Sequence, residues 1–358
     1  MTSIHPNLID LQKTLLVHGL NSTRSRLSYF KSLGNSLPSC PQCHKDFYSP
    51  SNFGSIFADR VPLRFPNRVS ISSDKSTSLI GSFSGVIHSS SLSSLAINPS
   101  SHLSSLSSRC TALQSLHDNL FASGDAEGNL IIGAVQSSTL SLIKTIYPCP
   151  FIPITSISKL PIKSGLITTS NDGYLRLIDI ESSTVLLSRH VSPTPTQSSS
   201  IHVDGCLVAV GSHDKSISLW DLRTGSQCQN FDSNFHTDCV TSLDFCFDGI
   251  SLASGGMDHV INLIDLRNLK ISNSFLQHTK TISKLKFLHT PKPILMSSGF
   301  DGSIIIRDVL IGNILWNCSA HDGRICDFDV VDNDSGVFVI TAGSEGLVKM
   351  WSNNEFNP

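Results

Sequence analysis

The chain has 358 residues, a net charge of −2, and 39 % hydrophobic against 15 % charged residues. That balance allows a sizeable core and argues against global disorder. It gives no general electrostatic case for nucleic acid or an anionic membrane, and no run nears the roughly 18 apolar residues of a membrane-spanning helix.

The opening stretch, MTSIHPNLID, lacks the basic start and apolar run of a secretory leader. Ten cysteines without a spacing framework fit reduced thiols, so a cytoplasmic or nuclear protein is expected. The acceptor-like triplets at Asn21 and Asn317 are then read as chance. Leu8, Leu11, Leu15 and Leu16 fall at helical spacing before Gly19; Ser22 can cap a second short helix with Leu27, Phe30 and Leu33 inward. Residues 1–50 are therefore read as a helical arm or partly disordered extension.

The segment CPQCH puts Cys40, Cys43 and His44 in a metal-like spacing. The same pattern attaches c-type haem, but nothing around it supplies an axial-ligand context. A zinc site needs four ligands, and the second pair is missing. Plain thiols are the favoured reading; no metal and no cofactor are expected.

From residue 79 a hairpin plan recurs. LIGSFSGVIHSSSL is a weak copy, followed by LFASGDAEGNLIIGAV, LITTSNDGYLRLIDI, LVAVGSHDKSISLWDLRTG, LASGGMDHVINLIDLRN, LMSSGFDGSIIIRDV and VITAGSEGLVKMWS. The turn position falls at Ser84, Glu127, Asp172, Asp214, Asp258, Asp301 and Glu345, in steps of 43, 45, 42, 44, 43 and 44 residues. Each unit reads as four short strands. In the fifth these are VTSLDF, SLASGG, VINLIDL and KISNSFLQ. Runs such as CLVAV are apolar on both faces, which fits sheets covered on both sides by other sheets. Residues 89–108, more than half serine, are expected to form a loop, a weak edge strand or a phosphorylatable tract.

These units resemble the WD-repeat (WD40) family, with its repeats of about 40 to 45 residues and four strands per blade. The resemblance covers about residues 54–352 and implies an all-β, seven-bladed WD40 β-propeller with a short N-terminal helical extension. It also implies a buried set of histidine, hydroxyl, turn acid and tryptophan. His236, His278 and His321 precede Asp258, Asp301 and Glu345 by 22 to 24 residues. Asp214 and Trp220 belong to the unit that keeps Trp-Asp; the seventh unit keeps Trp351. A structural role outweighs catalysis for these groups, because buried polar atoms need partners. The last unit stops after three strands. The repeat spacing places the missing one at residues 54–60, where it joins the chain ends.

Function is weakly written. There is no Walker loop, no kinase set and no G-x-G-x-x-G. LLVHGLNS is similar to a hydrolase oxyanion segment, but the matching G-x-S-x-G elbow is absent. The expected role is a non-enzymatic scaffold that binds other proteins or peptides in a multi-subunit complex. No membrane or nucleic-acid partner is expected. WDLR and IDLR, with Arg223 and Arg267, resemble the Trp-Asp-x-Arg box of receptors that dock on the cullin-4 ubiquitin ligase adaptor. The half-motif CPQCH…RVPLRFP resembles the start of a RING zinc ligase, a disfavoured alternative. In WD repeats the residue before the turn acid points to the channel mouth. Here these are Phe83, Ala126, Asn171, His213, Met257, Phe300 and Ser344, with Phe83, Met257 and Phe300 expected to form an apolar arc for a partner.

Overall fold

A computed structural model describes residues 54–352, apart from short stretches at 61–65, 93–96, 104–105, 137–138, 162–164, 233, 289–292 and 334–335. The expected helical arm and Cys40, Cys43 and His44 lie outside the described residues. Among the described residues there are seven four-stranded antiparallel sheets. Six are built from contiguous stretches: blade 1 over 66–103, blade 2 over 110–146, blade 3 over 154–190, blade 4 over 196–231, blade 5 over 240–275 and blade 6 over 282–319. Blade 7 takes three strands from 325–352, and its outermost strand is Gly54–Arg60. That strand runs antiparallel to Leu347–Ser352, with Gly54 opposite Ser352 and Arg60 opposite Leu347. The chain ends thus close the ring where the repeat spacing puts the missing strand. The fold is a seven-bladed β-propeller, with no helix among the described residues.

The two-sided apolar strands have a direct explanation. In the second strand of blade 4, Val208 and Val210 pack with Leu160, Ile167 and Leu177 of blade 3. Leu207 and Ala209, on the opposite face, pack with Leu243, Leu252 and Ile264 of blade 5. Each such valine, leucine or isoleucine, fully buried, contributes about 1.5–3 kcal/mol. The core is therefore a ring of inter-blade layers. The serine-rich tract resolves in part as the outer strand Ile97–Leu103 of blade 1.

The innermost strands raise a separate problem. Each has one edge without a ladder partner, and its N–H groups face the central channel. Neighbouring blades answer with short polar side chains. Asp327 and Asp329 of blade 7 accept from the Val69 and Ile71 N–H of blade 1 at 3.1 and 2.7 Å. Ser70 accepts from Ser115 N, Ser200 from Phe245 N, and Ser242 from Leu285 N. This is why inner strands such as TQSSSI and ITSISK are polar in a buried ring. The channel they enclose has a volume of about 830 Å³.

Candidate interaction face and structural polar sets

The tight turns between second and third strands define one face of the ring. The third turn position is left-handed in every blade: Gly85, Gly128, Gly173, Gly302 and Gly346, but Lys215 and His259 in blades 4 and 5. Glycine is required where the backbone approaches closely. A Cβ on Gly302 would sit 2.1 Å from the His321 carbonyl oxygen, and one on Gly173 2.0 Å from that of Ser192.

Beneath these turns lie the polar sets. In blade 7 the set is complete. His321 Nδ1 meets Glu345 Oε1, His321 Nε2 lies 2.8 Å from Thr341 Oγ1, and Trp351 Nε1 donates to the same hydroxyl at 3.1 Å. Burial lowers the His321 pKa against the opposing pull of Glu345. The ring is thus held neutral, donating from Nδ1 and accepting at Nε2. Blades 5 and 6 keep the histidine, acid and hydroxyl: His236 with Asp258 and Ser254, His278 with Asp301 and Ser297. Burial pushes both carboxyls up, but hydrogen bonds from His236 to Asp258, and from His278 and Ser303 to Asp301, hold them low. In blade 6, Arg307 stands at the tryptophan position. It is buried, lies 3.9 Å over the Phe275 ring and donates to Gly312 O at 3.2 Å and to Gln277.

The sequence missed two substitutions. In blade 4, Ser192 replaces the histidine and donates to Asp214 at 2.9 Å, while Trp220 donates to Ser218. In blade 2, the fully buried carboxylate is Asp125, which accepts from Glu127 N, Asn129 N and Ser107 Oγ. Glu127, at the phased turn position, is exposed.

The mouth residues, one per blade, differ in exposure. Phe83, Asn171, His213 and Met257 are exposed; Ala126, Phe300 and Ser344 are half-buried. In blades 2 to 7 their N–H groups are pinned to the residue that leads into the inner strand of the same blade. Ala126 N donates to Arg109 O, Met257 N to Cys239 O, Phe300 N to Thr281 O and Ser344 N to Arg324 O. Two of those opening residues are exposed arginines. Arg109 of blade 2 lies 6.0 Å from the Phe83 ring of blade 1, and Arg324 of blade 7 lies 5.4 Å from the Phe300 ring of blade 6. Because blades 6, 7, 1 and 2 are successive neighbours, Met257, Phe300, Arg324, Phe83 and Arg109 run in order across five consecutive blades. The arginines carried no local sequence signal: each acts on the preceding blade's phenylalanine.

Each Asp-x-Arg arginine pairs with the aspartate of its own box. Arg223 donates from its backbone N, Nε and Nη2 to Asp221, with the Nη2 bond at 2.7 Å, and its side chain is 3 % exposed. Arg267 forks onto Asp265 in the same way but is 25 % exposed. Among the described residues no three His, Cys, Asp or Glu side chains group to hold a metal.

Known proteins give the same picture. The family model "WD domain, G-beta repeat" matches residues 185–221 and 226–265. Protein SPA1-RELATED 3 of Arabidopsis thaliana is 30 % identical over 151 residues, 41 % of this chain and 17 % of that protein. Nuclear distribution protein PAC1 of Komagataella phaffii is 26 % identical over 172 residues, 44 % of this chain and 34 % of that protein. COMPASS component SWD3 of Saccharomyces cerevisiae is 27 % identical over 168 residues, 45 % of this chain and 51 % of that protein. The chain thus spans between 17 and 51 % of the length of these relatives. The chain is a seven-bladed β-propeller that carries WD40 repeats at residues 185–221 and 226–265.

Proposed function

We propose that the protein is a non-enzymatic scaffold that holds a segment of a partner protein against the arc Met257, Phe300, Arg324, Phe83 and Arg109. The observation that carries this reading is the repeated phenylalanine–arginine stack across two blade junctions on one face. The exposed Phe83 and Met257 and the half-buried Phe300 supply apolar area, and the arginines supply directional donors, the combination found at interface hot spots. Relatives whose printed names place them in assemblies, such as a COMPASS component, support a role within a complex. The test is to identify co-purifying proteins and titrate the recovered partner. Phe300→Ala with Met257→Ala should weaken binding by about 2 kcal/mol, roughly 30-fold, without lowering the melting temperature. A fall in melting temperature with unchanged affinity would move the site elsewhere.

A narrower reading is a cullin-4 substrate receptor docking through the Asp-x-Arg boxes. It is supported by Arg267, whose guanidinium is partly exposed. Recovery of cullin-4 and its adaptor, lost on Arg267→Ala, would favour it; a stable complex lacking both would not.

A further inference from the structure

We propose that the central channel binds a compact phosphate-bearing anion, held between Lys159 of blade 3 and Lys284 and Lys286 of blade 6. All three side chains line the channel, from inner strands on opposite sides of the ring. Blades 4 and 5 separate them on one side, and blades 7, 1 and 2 on the other. The channel volume of about 830 Å³ lies within the usual range of small-molecule sites, about 300–1,000 Å³. Its wall is rich in hydroxyls. Beside Lys159, the Ser158 and Ser156 hydroxyls of blade 3 lie 2.9 and 3.0 Å from the Ser199 hydroxyl of blade 4. None of the arc residues lines the channel, so the inference stands apart from the partner site at the mouth.

The chemistry of the ligand follows from the charges. The channel carboxylates are already committed to joining blades. Asp327 accepts from Val69 N at 3.1 Å and from Lys284 Nζ at 2.8 Å. Asp329 accepts from Ile71 N at 2.7 Å and from Lys286 Nζ. Asp244 accepts from Phe287 N at 2.7 Å and from Ser200 Oγ at 3.2 Å. Among the described residues, Lys159 makes no ion pair or side-chain hydrogen bond. Burial in the ring and the Lys286 charge hold its pKa below the ordinary lysine range. Lys284 and Lys286 keep 29 and 31 % of their side chains exposed, so each ammonium has donors to spare beyond its aspartate. With Arg68 and Lys75, the channel carries five cationic side chains against three carboxylates, and a bound anion offsets the excess. Ammonium groups that converge from opposite walls suit the tetrahedral oxygens of phosphate. A flat carboxylate is best matched by an arginine fork, and Arg68 directs its own to the Thr111 and Asn67 carbonyls.

The experiment titrates the full chain with pyrophosphate by calorimetry at low ionic strength, where screening is weakest. One equivalent should bind and raise the melting temperature. Lys159→Met keeps the stem and removes the charge. It should weaken binding by about tenfold or more, while the unliganded variant melts at or above the temperature of the parent. Lys159→Gln, which stays polar, should lose affinity equally. Lys270→Met, on the exposed outer strand of blade 5, should bind like the parent. Inorganic phosphate should compete for the same site with lower affinity, and citrate, of similar charge, should bind more weakly than pyrophosphate. Any one of four results would overturn the proposal: no saturable binding, binding untouched by the Lys159 variants, equal weakening by Lys159→Met and Lys270→Met, or citrate as tight as pyrophosphate.

Discussion

The imidazole of His321 and the indole of Trp351 meet at one hydroxyl, Oγ1 of Thr341, at 2.8 and 3.1 Å. Trp351 donates to that oxygen, which in turn donates to the neutral ring. Thr341→Val keeps the shape and strands both nitrogen atoms in the core. It should cost about 1–3 kcal/mol by urea unfolding, and Thr341→Ser should recover most of the loss. A valine variant within a few tenths of a kcal/mol of the parent would show that the set contributes nothing to blade 7.

The channel wall makes stability depend on pH in an unusual direction at Asp244. Burial pushes its pKa up to about 6, against the Phe287 N–H, Lys286 and Ser200. Between the ordinary carboxyl pKa of 3.8 and about 6, the folded chain holds a proton that the unfolded chain releases. By linkage this raises stability as pH falls through that window and lowers it as pH rises. The unfolding free energy of the parent minus that of Asp244→Asn should therefore increase from pH 7 to pH 4.5. A flat difference would place the Asp244 pKa at its ordinary value.

The two Asp-x-Arg boxes should answer differently to mutation. Asp221 is fully buried, so Arg223→Ala leaves a carboxylate in the core without its fork and should destabilise by about 3–5 kcal/mol. The Arg267 pair is partly exposed, and Arg267→Ala should cost about 1 kcal/mol or less. Denaturant midpoints of the two single variants measure this contrast. Arg267 is accordingly the informative probe of adaptor docking, whereas loss of binding in Arg223→Ala would report damage to blade 4.

Lys215 and His259 occupy the left-handed turn position at φ of 75° and 67°, where five other blades place glycine. A side chain there costs about 1–2 kcal/mol of local strain, partly offset by the greater freedom of unfolded glycine. Lys215→Gly and His259→Gly should each raise stability by about 0.5–1 kcal/mol, additively, by thermal melting. A loss at either site would mean that the side chain makes up its own strain through contacts.

Much of the architecture was legible because repetition averages out local ambiguity. One blade such as 79–92 is weak alone, yet its phase with Asp172 or Asp301 assigns its strands. The alternate burial of Leu207 and Val208 toward two different blades was likewise readable, since neither face of CLVAV is polar. What escaped the reading depends on substitution within a conserved geometry. Ser192 can replace a histidine because only a donor to Asp214 is needed. Asp125 can replace Glu127 because the buried carboxylate can approach the turn from its first residue. Arg109 and Arg324 escaped because their partners, Phe83 and Phe300, belong to the preceding blade, and no periodicity within one unit encodes a contact across two.

The seventh blade joins the first strand described here to the last. During synthesis, Gly54–Arg60 leaves the ribosome almost a full circuit before Leu347–Ser352 exists to receive it. Six blades can assemble from neighbouring sequence as they emerge, each stacking on its predecessor. The seventh must wait, with a lone strand at one end of the chain and an open sheet edge at the other. Closure is then the slow, long-range step of folding, and the interval before it is when chaperones or a foreign strand have access. Moving residues 54–60 to follow Ser352 would make every blade contiguous and convert that step into a local hairpin.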